Sequence, residues 1–301
     1  MTPDTTASGE DTENSILVTG STGNLGRHVI DRLRDAGIDP GEIAGLARDP
    51  EKASDLADRG IDVRIGDYTE PDTLNGAVEG IDRLLLISSN EAGERVEHHQ
   101  NVIDAAERHD VGFIAYTSVL NADSSPMGIA DEHTATEEMI RDSGMDYTIL
   151  RNGWYTENYT EQLDQVLEQG AFVGCADGGR ISAATRSDYA EAAVTVLTEE
   201  GHTGEVYELG GDEAFAFTMA ELAEEVARQS DTEVAYQDLS REEYVNALTE
   251  QGIPESQASV LVDMDRAIAE GALYTESDDL HQLIGHPTTP MAYAVATALS
   301  E

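Results

Sequence analysis

The stretch Ile16-Leu17-Val18-Thr19-Gly20-Ser21-Thr22-Gly23-Asn24-Leu25-Gly26, continuing into Arg27-His28-Val29-Ile30-Asp31-Arg32-Leu33, decides the fold. It reads as an apolar strand, a turn with glycines three residues apart, and an amphipathic helix. Each glycine answers a separate steric demand. Gly20 permits a tight turn, Gly23 lets the main chain approach a pyrophosphate with no Cβ in the way, and Gly26 lets the helix pack close to the strand. Thr22, Asn24 and Leu25 complete the turn and the start of the helix. The free N–H groups and partial positive charge of that helix end suit phosphate oxygens. A glycine triplet alone says little; set between a strand and a helix it predicts a bound dinucleotide, against the alternative of a tight turn with no ligand.

Outward from this unit, apolar strand-like runs alternate with helical patterns. Strands are predicted at Ile16–Gly20, Glu42–Ala47, Val63–Gly66, Arg83–Ser88, Gly112–Ser118 and Tyr147–Asn152, with helices near 24–36, 50–59, 71–79, 94–109 and 128–143. Such alternation implies βαβ units, hence an α/β fold: a Rossmann-type doubly wound parallel sheet with helices on both faces. The second half predicts a helix at Ser187–Glu200, a strand at Val206–Leu209, and helices at 218–229, 240–251 and 254–270, followed by a last segment from Leu280. This half reads as a smaller, mostly helical C-terminal lobe. The expected division is an acidic disordered tail over 1–14 and a nucleotide-binding domain over 15–155, to which 181–210 return. Residues 156–180 and 211–301 then form a lobe on the substrate side. A chain of 301 residues has the length for this arrangement.

Charge narrows the partners. Seventeen basic residues against 61 acidic ones give a net charge of −44. Nucleic acid is excluded as a partner, because a phosphate backbone demands a basic face. An anionic membrane surface is excluded for the same reason. Lys52 is the sole lysine beside the arginines. A dense acidic surface that avoids lysine fits a cytoplasmic protein of an extreme halophile, since at about 1 M salt the Debye length falls to about 3 Å and surface repulsion is screened. Cys175 is the single cysteine, so no internal disulfide forms. Residues 1–14 have no basic start and no apolar core, unlike a secretory signal. No apolar run reaches the ~20 residues that span a bilayer.

In a doubly wound sheet, ligands sit outside the carboxyl ends of the strands. The second strand ends at Leu46-Ala47-Arg48, about 20 residues past the glycine turn, where an acid would select NAD through its ribose hydroxyl. Arg48 suits a 2′-phosphate instead, its planar fork matching two phosphate oxygens, so the expected cofactor is NADP(H). Lys52, in the first helical turn after Asp49-Pro50, is where a cation is ordinarily disfavoured; a nearby phosphate would account for it. Asp67 and Tyr68 follow the third strand on the adenine side. Ser88 and Ser89 follow the fourth, near ribose or pyrophosphate, and Thr117 follows the fifth, nearer the nicotinamide.

Many short-chain reductases of this fold protonate a carbonyl with a Tyr helped by a Lys four residues later. Here the residue four before the only Lys is Arg48, so that pair is absent. What remains for a bound NADPH is direct hydride transfer to an acceptor that needs little acid assistance. A quinone qualifies, because the product is an aromatic hydroquinone anion that solvent can protonate.

Five segments carry a resemblance: Leu84-Leu85-Leu86-Ile87-Ser88-Ser89, Phe113-Ile114-Ala115-Tyr116-Thr117-Ser118, Ala130-Asp131-Glu132-His133, the run from Leu150 through Arg151-Asn152-Gly153-Trp154-Tyr155-Thr156-Glu157-Asn158-Tyr159, and Leu283-Ile284-Gly285-His286-Pro287-Thr288-Thr289. Over roughly residues 15–290 the chain resembles the bacterial NAD(P)H:quinone oxidoreductase 2 family. That family lies within the NmrA-like atypical short-chain dehydrogenases, near triphenylmethane dye reductase. The resemblance implies flavin-independent reduction of a quinone-like acceptor by NADPH. It assigns Gly20, Thr22, Gly23, Asn24, Leu25, Arg48 and Ser88 to the cofactor, and Asn152, Trp154 and Tyr155 to the nicotinamide and acceptor pocket. Ser89 and Asn158 are expected to line that pocket as well. His133, where the wider group often has a Lys four residues before Glu137, is expected either to polarise the acceptor or to be an ordinary helix-face histidine. The aromatics after Asn152 are expected in the acceptor pocket rather than in plain core packing. Asn152, Tyr155 and His133 are thus the catalytic candidates. No metal site is expected at His98-His99, and a homodimer is compatible with the family. The rival reading is a non-catalytic NADP(H)-sensing regulator.

Overall fold

The computed structural model describes residues 15–91 and 93–300; the expectation of a tail over 1–14 lies outside them. The strands are β1 Ile16–Val18, β2 Ile43–Ala47, β3 Asp62–Ile65, β4 Arg83–Leu86, β5 Phe113–Val119, β6 Asp146–Asn152, β7 Ala171–Gly174, β8 Val206–Leu209 and β9 Ala235–Asp238. The helices are α1 Asn24–Asp35, α2 Ser54–Asp58, α3 Pro71–Val78, α4 Arg95–Arg108, α5 Ala130–Asp142, α6 Glu157–Thr160, α7 Leu163–Gln169, α8 Arg186–Thr198, α9 Met219–Ser230, α10 Arg241–Glu250, α11 Glu255–Ala269, α12 Asp279–Ile284 and α13 Met291–Ala298.

Seven strands form one parallel sheet in the order β3-β2-β1-β4-β5-β6-β8. The expected doubly wound α/β fold is therefore present. The chain winds one way through β1, β2 and β3, then returns beside β1 as β4 and continues the other way. The reversal between β1 and β4 opens a crevice at their carboxyl ends.

Alternation along the strands explains the two cores. Ile16, Val18 and Leu85 face a cluster with Val29, Ile30 and Leu33 of α1 and Tyr189, Val196 and Leu197 of α8. Leu17, Leu84 and Leu86 face the other side, against Leu74 of α3 and Val102 and Ile103 of α4. Successive side chains of a strand point to opposite faces, and a sheet buried on both faces needs apolar residues at every position.

Beyond the carboxyl ends of β5 and β6, Val119, Leu163, Phe172, Phe217, Leu222, Ile268 and Val295 build a third cluster, in the C-terminal lobe. That lobe contains a feature absent from the expectation, a parallel pair of β7 with β9. Also unexpected are α6, α7 and α13, and the helix predicted over 50–59 divides into a 3-10 turn at Glu51–Ala53 and α2. The helix placed from Ser187 starts at Arg186, because Thr185 caps it reciprocally with Asp188.

A buried ionic network fastens β5, β6, β8 and α5. Arg151 donates to both oxygens of Glu137 at 2.9 and 2.8 Å and to Glu208 at 2.7 Å, while the Ser118 hydroxyl donates to Glu137 at 2.6 Å. Burial pushes the Glu137 carboxyl up, but the Arg151 and Ser118 hydrogen bonds outweigh it and hold the group below its ordinary range. Glu208 also accepts the Asn121 N–H, and the Asn121 side-chain amide donates to the carbonyls of Ala272 and Tyr274, joining the lobe to the sheet. No helix among the described residues is long and apolar enough to cross a membrane.

Candidate active site

The crevice is a cleft of about 610 Å³, within the range of small-molecule sites. The glycine turn forms one wall. Gly20 takes φ +57°, a left-handed conformation that strains any side chain, and a Cβ at Gly26 would lie 2.3 Å from the Gly20 carbonyl oxygen. The turn closes through the Gly23 N–H, which donates to that oxygen at 2.9 Å. Gly23 then precedes α1 with no side-chain cap and no acidic residue in the first turn. In a chain this acidic, α3, α4, α5, α8 and α9 all carry acid there. The start of α1 is thus left electropositive, with its N–H groups free for an anion.

Gly20, Thr22, Gly23, Asn24, Leu25, Gly26, Arg48, Asp67, Tyr68, Ser88, Ser89, Thr117, Tyr155 and Asn158 all line this one cleft. Arg48 stands at its mouth, 70% exposed, its guanidinium 3.5 Å from Glu91 on the loop after β4. Burial pushes the Tyr68 phenol above its ordinary value, and its hydroxyl donates to the Ile87 carbonyl at 3.2 Å.

The floor is the turn after β4, pinned from several sides. The Ser88 N–H donates to Thr117 Oγ1 at 3.0 Å and the Ile87 N–H to Thr19 Oγ1 at 2.9 Å. The Ser89 N–H donates to His99 Nε2 at 2.9 Å, and Arg95 Nε donates to the Ser89 carbonyl at 2.9 Å. Because His99 accepts at Nε2, its proton sits on Nδ1 and is directed to Thr136 Oγ1, 2.9 Å away. Burial pushes the His99 pKa down to about 3, so the ring is neutral.

At the far end, Tyr155 lies beside the N-terminus of α8. Its ring packs edge-on against Tyr189, with centroids 5.3 Å apart, and the Arg186 guanidinium carbon is 5.4 Å from its centroid. Asn152 Nδ2 donates to the Tyr155 hydroxyl at 3.5 Å, and burial raises the Tyr155 pKa. The phenol stays protonated at neutral pH, and its hydroxyl accepts from Asn152. Asn152 itself is buried behind Tyr155 and does not line the cleft; its Oδ1 has no partner among the described residues. A buried polar atom left unpaired points to a missing hydrogen-bonding group nearby.

Besides Asn152, three expected site residues lie outside the cleft lining. His133 is buried against Tyr116, its Nδ1 2.7 Å from that hydroxyl, and burial, with Arg95 nearby, pushes its pKa down to about 3. It does not line the cleft and is a neutral imidazole near pH 7, so nothing in this placement sets it against an acceptor. Trp154 packs into the lobe's apolar cluster beside Tyr159 rather than into the cleft. Lys52 is exposed and outside the cleft lining; its carbonyl accepts from Arg27. Conversely, Glu91, His98 and Arg186 line the cleft and were not anticipated. For His98, the sequence did hold a signal: Glu94 is four residues before it on the helix. Glu91, Glu94 and His98 bring ligand atoms within 4.8 Å of one another, but both carboxylates are exposed and Glu91 already faces Arg48.

Residues 20–200 match the NAD(P)H-binding family. The chain belongs to that family. Quinone oxidoreductase 2 of Escherichia coli is 48% identical over 281 residues, spanning 93% of this chain and 97% of the relative. The crystal structure of the NADPH-dependent quinone oxidoreductase from Escherichia coli in complex with NADPH matches with a TM-score of 0.90 at 48% identity, covering 94% of this chain and 99% of that one. Triphenylmethane reductase of Citrobacter sp. in complex with NADP(H) matches with a TM-score of 0.89 at 40% identity, over 94% of this chain and all of the other (100%). Within the family, the chain falls in the NmrA-like branch that holds these two enzymes.

Proposed function

We propose that this protein is an NADPH-dependent oxidoreductase that reduces quinones, or similarly flat conjugated acceptors, by two electrons without a flavin. The observation that carries the reading is the polarity of the cleft. The uncapped start of α1 and Arg48 offer phosphate-binding groups at one end, and Tyr155, Asn158 and Arg186 line the other. The similarity to the two reductases supports the same assignment. Arg48 favours NADPH over NADH because its guanidinium can leave Glu91 for a 2′-phosphate.

When bound, NADPH supplies a hydride. The protein's own contribution is mainly placement. Thr117 and the pinned Ser88–Ser89 turn would form the floor under a bound nicotinamide, while Asn152, behind the cleft wall, positions Tyr155 through its Nδ2 hydrogen bond. Tyr155 keeps its proton. His133 takes no part, and solvent protonates the product. The expected halophilic, cytoplasmic setting belongs to the same proposal.

The test is NADPH oxidation followed with 1,4-benzoquinone in concentrated KCl, on protein whose visible spectrum shows no flavin. Turnover is expected. Tight NADPH binding with no turnover across quinones and triphenylmethane dyes would overturn the reading in favour of an NADP(H)-sensing protein.

A further inference from the structure

We infer that Arg186 is a catalytic residue that holds the negative charge developing on the acceptor oxygen. The inference rests on the quinone-reductase reading above. In that reaction two electrons and one hydrogen pass from the reduced nicotinamide to the quinone. NADP⁺ and the hydroquinone monoanion are formed, and the anion takes one proton from solvent. The charge therefore appears on an oxygen before any proton arrives, and a fixed cation beside that oxygen lowers the barrier.

Arg186 is placed for this. It opens α8 and lines the cleft with Tyr155 and Asn158, at the end away from Arg48. Its side chain is 11% exposed, so its field is little screened by water. The surroundings hold it in position: the Glu157 carboxylate accepts its backbone N–H at 2.9 and 3.1 Å, the Glu161 carboxylate accepts from Nη1, and Asn158 Oδ1 accepts from Nη2 at 3.2 Å. A guanidinium has five N–H donors, so these side-chain partners leave donors for a ligand. Glu161 is itself 53% exposed, and its opposing charge is more strongly screened.

Nothing else lining this end carries a fixed positive charge. Among the described residues, the arginines that line the cleft are Arg48, at the opposite end, and Arg186, and no lysine lines it. His133 is neutral and outside, and Tyr155 retains its proton. The purely structural alternative is that Arg186 only ties α6 to α8.

The experiment compares wild type with R186Q and R186K. The expected result for R186Q is an unchanged NADPH dissociation constant and a kcat for 1,4-benzoquinone lower by about 10²–10³-fold, the range for removing one oxyanion donor. The loss should deepen for quinones whose hydroquinones are less acidic, and R186K should recover part of it. A second readout needs neither cofactor nor turnover: 4-nitrophenol bound to the cofactor-free protein, its ionisation followed by absorbance. Wild type should favour the phenolate relative to free phenol, and R186Q should abolish that preference. Failure of wild type to bind 4-nitrophenol with a preference for the phenolate would overturn the inference, whether or not R186Q folds. So would an R186Q that keeps wild-type kcat. If wild type fails to oxidise NADPH with any quinone, the quinone reading falls on its own, while the phenolate preference still separates an anion-holding Arg186 from a structural tie.

Discussion

Arg48 and Trp154 show how much a single position reveals before any folding is known. Arg48 was legible because the glycine turn, the helix and the second strand set its distance from the phosphates locally along the chain. Its pairing with Glu91 was not, because that contact joins two separate strand ends. Exchange of Arg48 for Asp should weaken NADPH by about 10–100-fold, the worth of charge-assisted hydrogen bonds to a phosphate, while NADH changes little. Equal loss of both, measured by fluorescence titration, would remove Arg48 from the 2′-phosphate site. Trp154 and Tyr155 are neighbours, yet one enters the lobe core and the other the cleft. Tyr155 bridges to Ala184 in extended conformation, where consecutive side chains take opposite sides. Residue type placed both aromatics near the site; only the geometry of that segment separates them. Arg186 lacked any spacing signal, since its partners Glu157 and Asn158 sit on α6, and Glu161 just past its end, a helix too short to read from periodicity.

At the scale of elements, the central strands of the large sheet were legible because β1, β4 and β5 are apolar runs preceded by Ser15, Asp82 and Gly112. The pair β7 and β9 was not, because four residues apiece carry too little alternation and their pairing is distant in sequence. The buried histidines of α4 and α5 were visible only as letters; their burial is what sets their chemistry. His99 and His133 both have folded pKa values near 3 against an ordinary 6.5. Between those values the unfolded chain binds more protons than the folded one, so stability rises with pH and is lost as pH falls below 6.5. Each histidine should contribute up to about 1.4 kcal/mol per pH unit in that window. Urea unfolding in concentrated KCl between pH 6.5 and about pH 5 should show this slope, and H133Q should flatten it. An unchanged slope in H133Q would mean that the imidazole is not held neutral. Because His99 receives the Ser89 N–H, its protonation would also loosen the cleft floor.

The whole molecule carries a net charge of −44, and among the described residues the arginines lining the cleft are Arg48 and Arg186. Self-repulsion of that size opposes compactness unless salt screens it. Melting temperature should therefore climb from low to multi-molar KCl; a flat or falling curve would refute adaptation to high salt. Screening does not reach every charge equally. Within the Glu137–Arg151–Glu208 network, Glu137 is fully buried and Arg151 nearly so, which weakens screening of that pair, whereas Glu208 is partly exposed. Two populations of acid thus coexist on one chain, one answering to the solvent and one to the architecture. Carboxylates far from the Glu137–Arg151 pair can be gained or lost without disturbing the joint between β5, β6 and α5, so the surface charge and the interior of the fold can be revised largely one at a time.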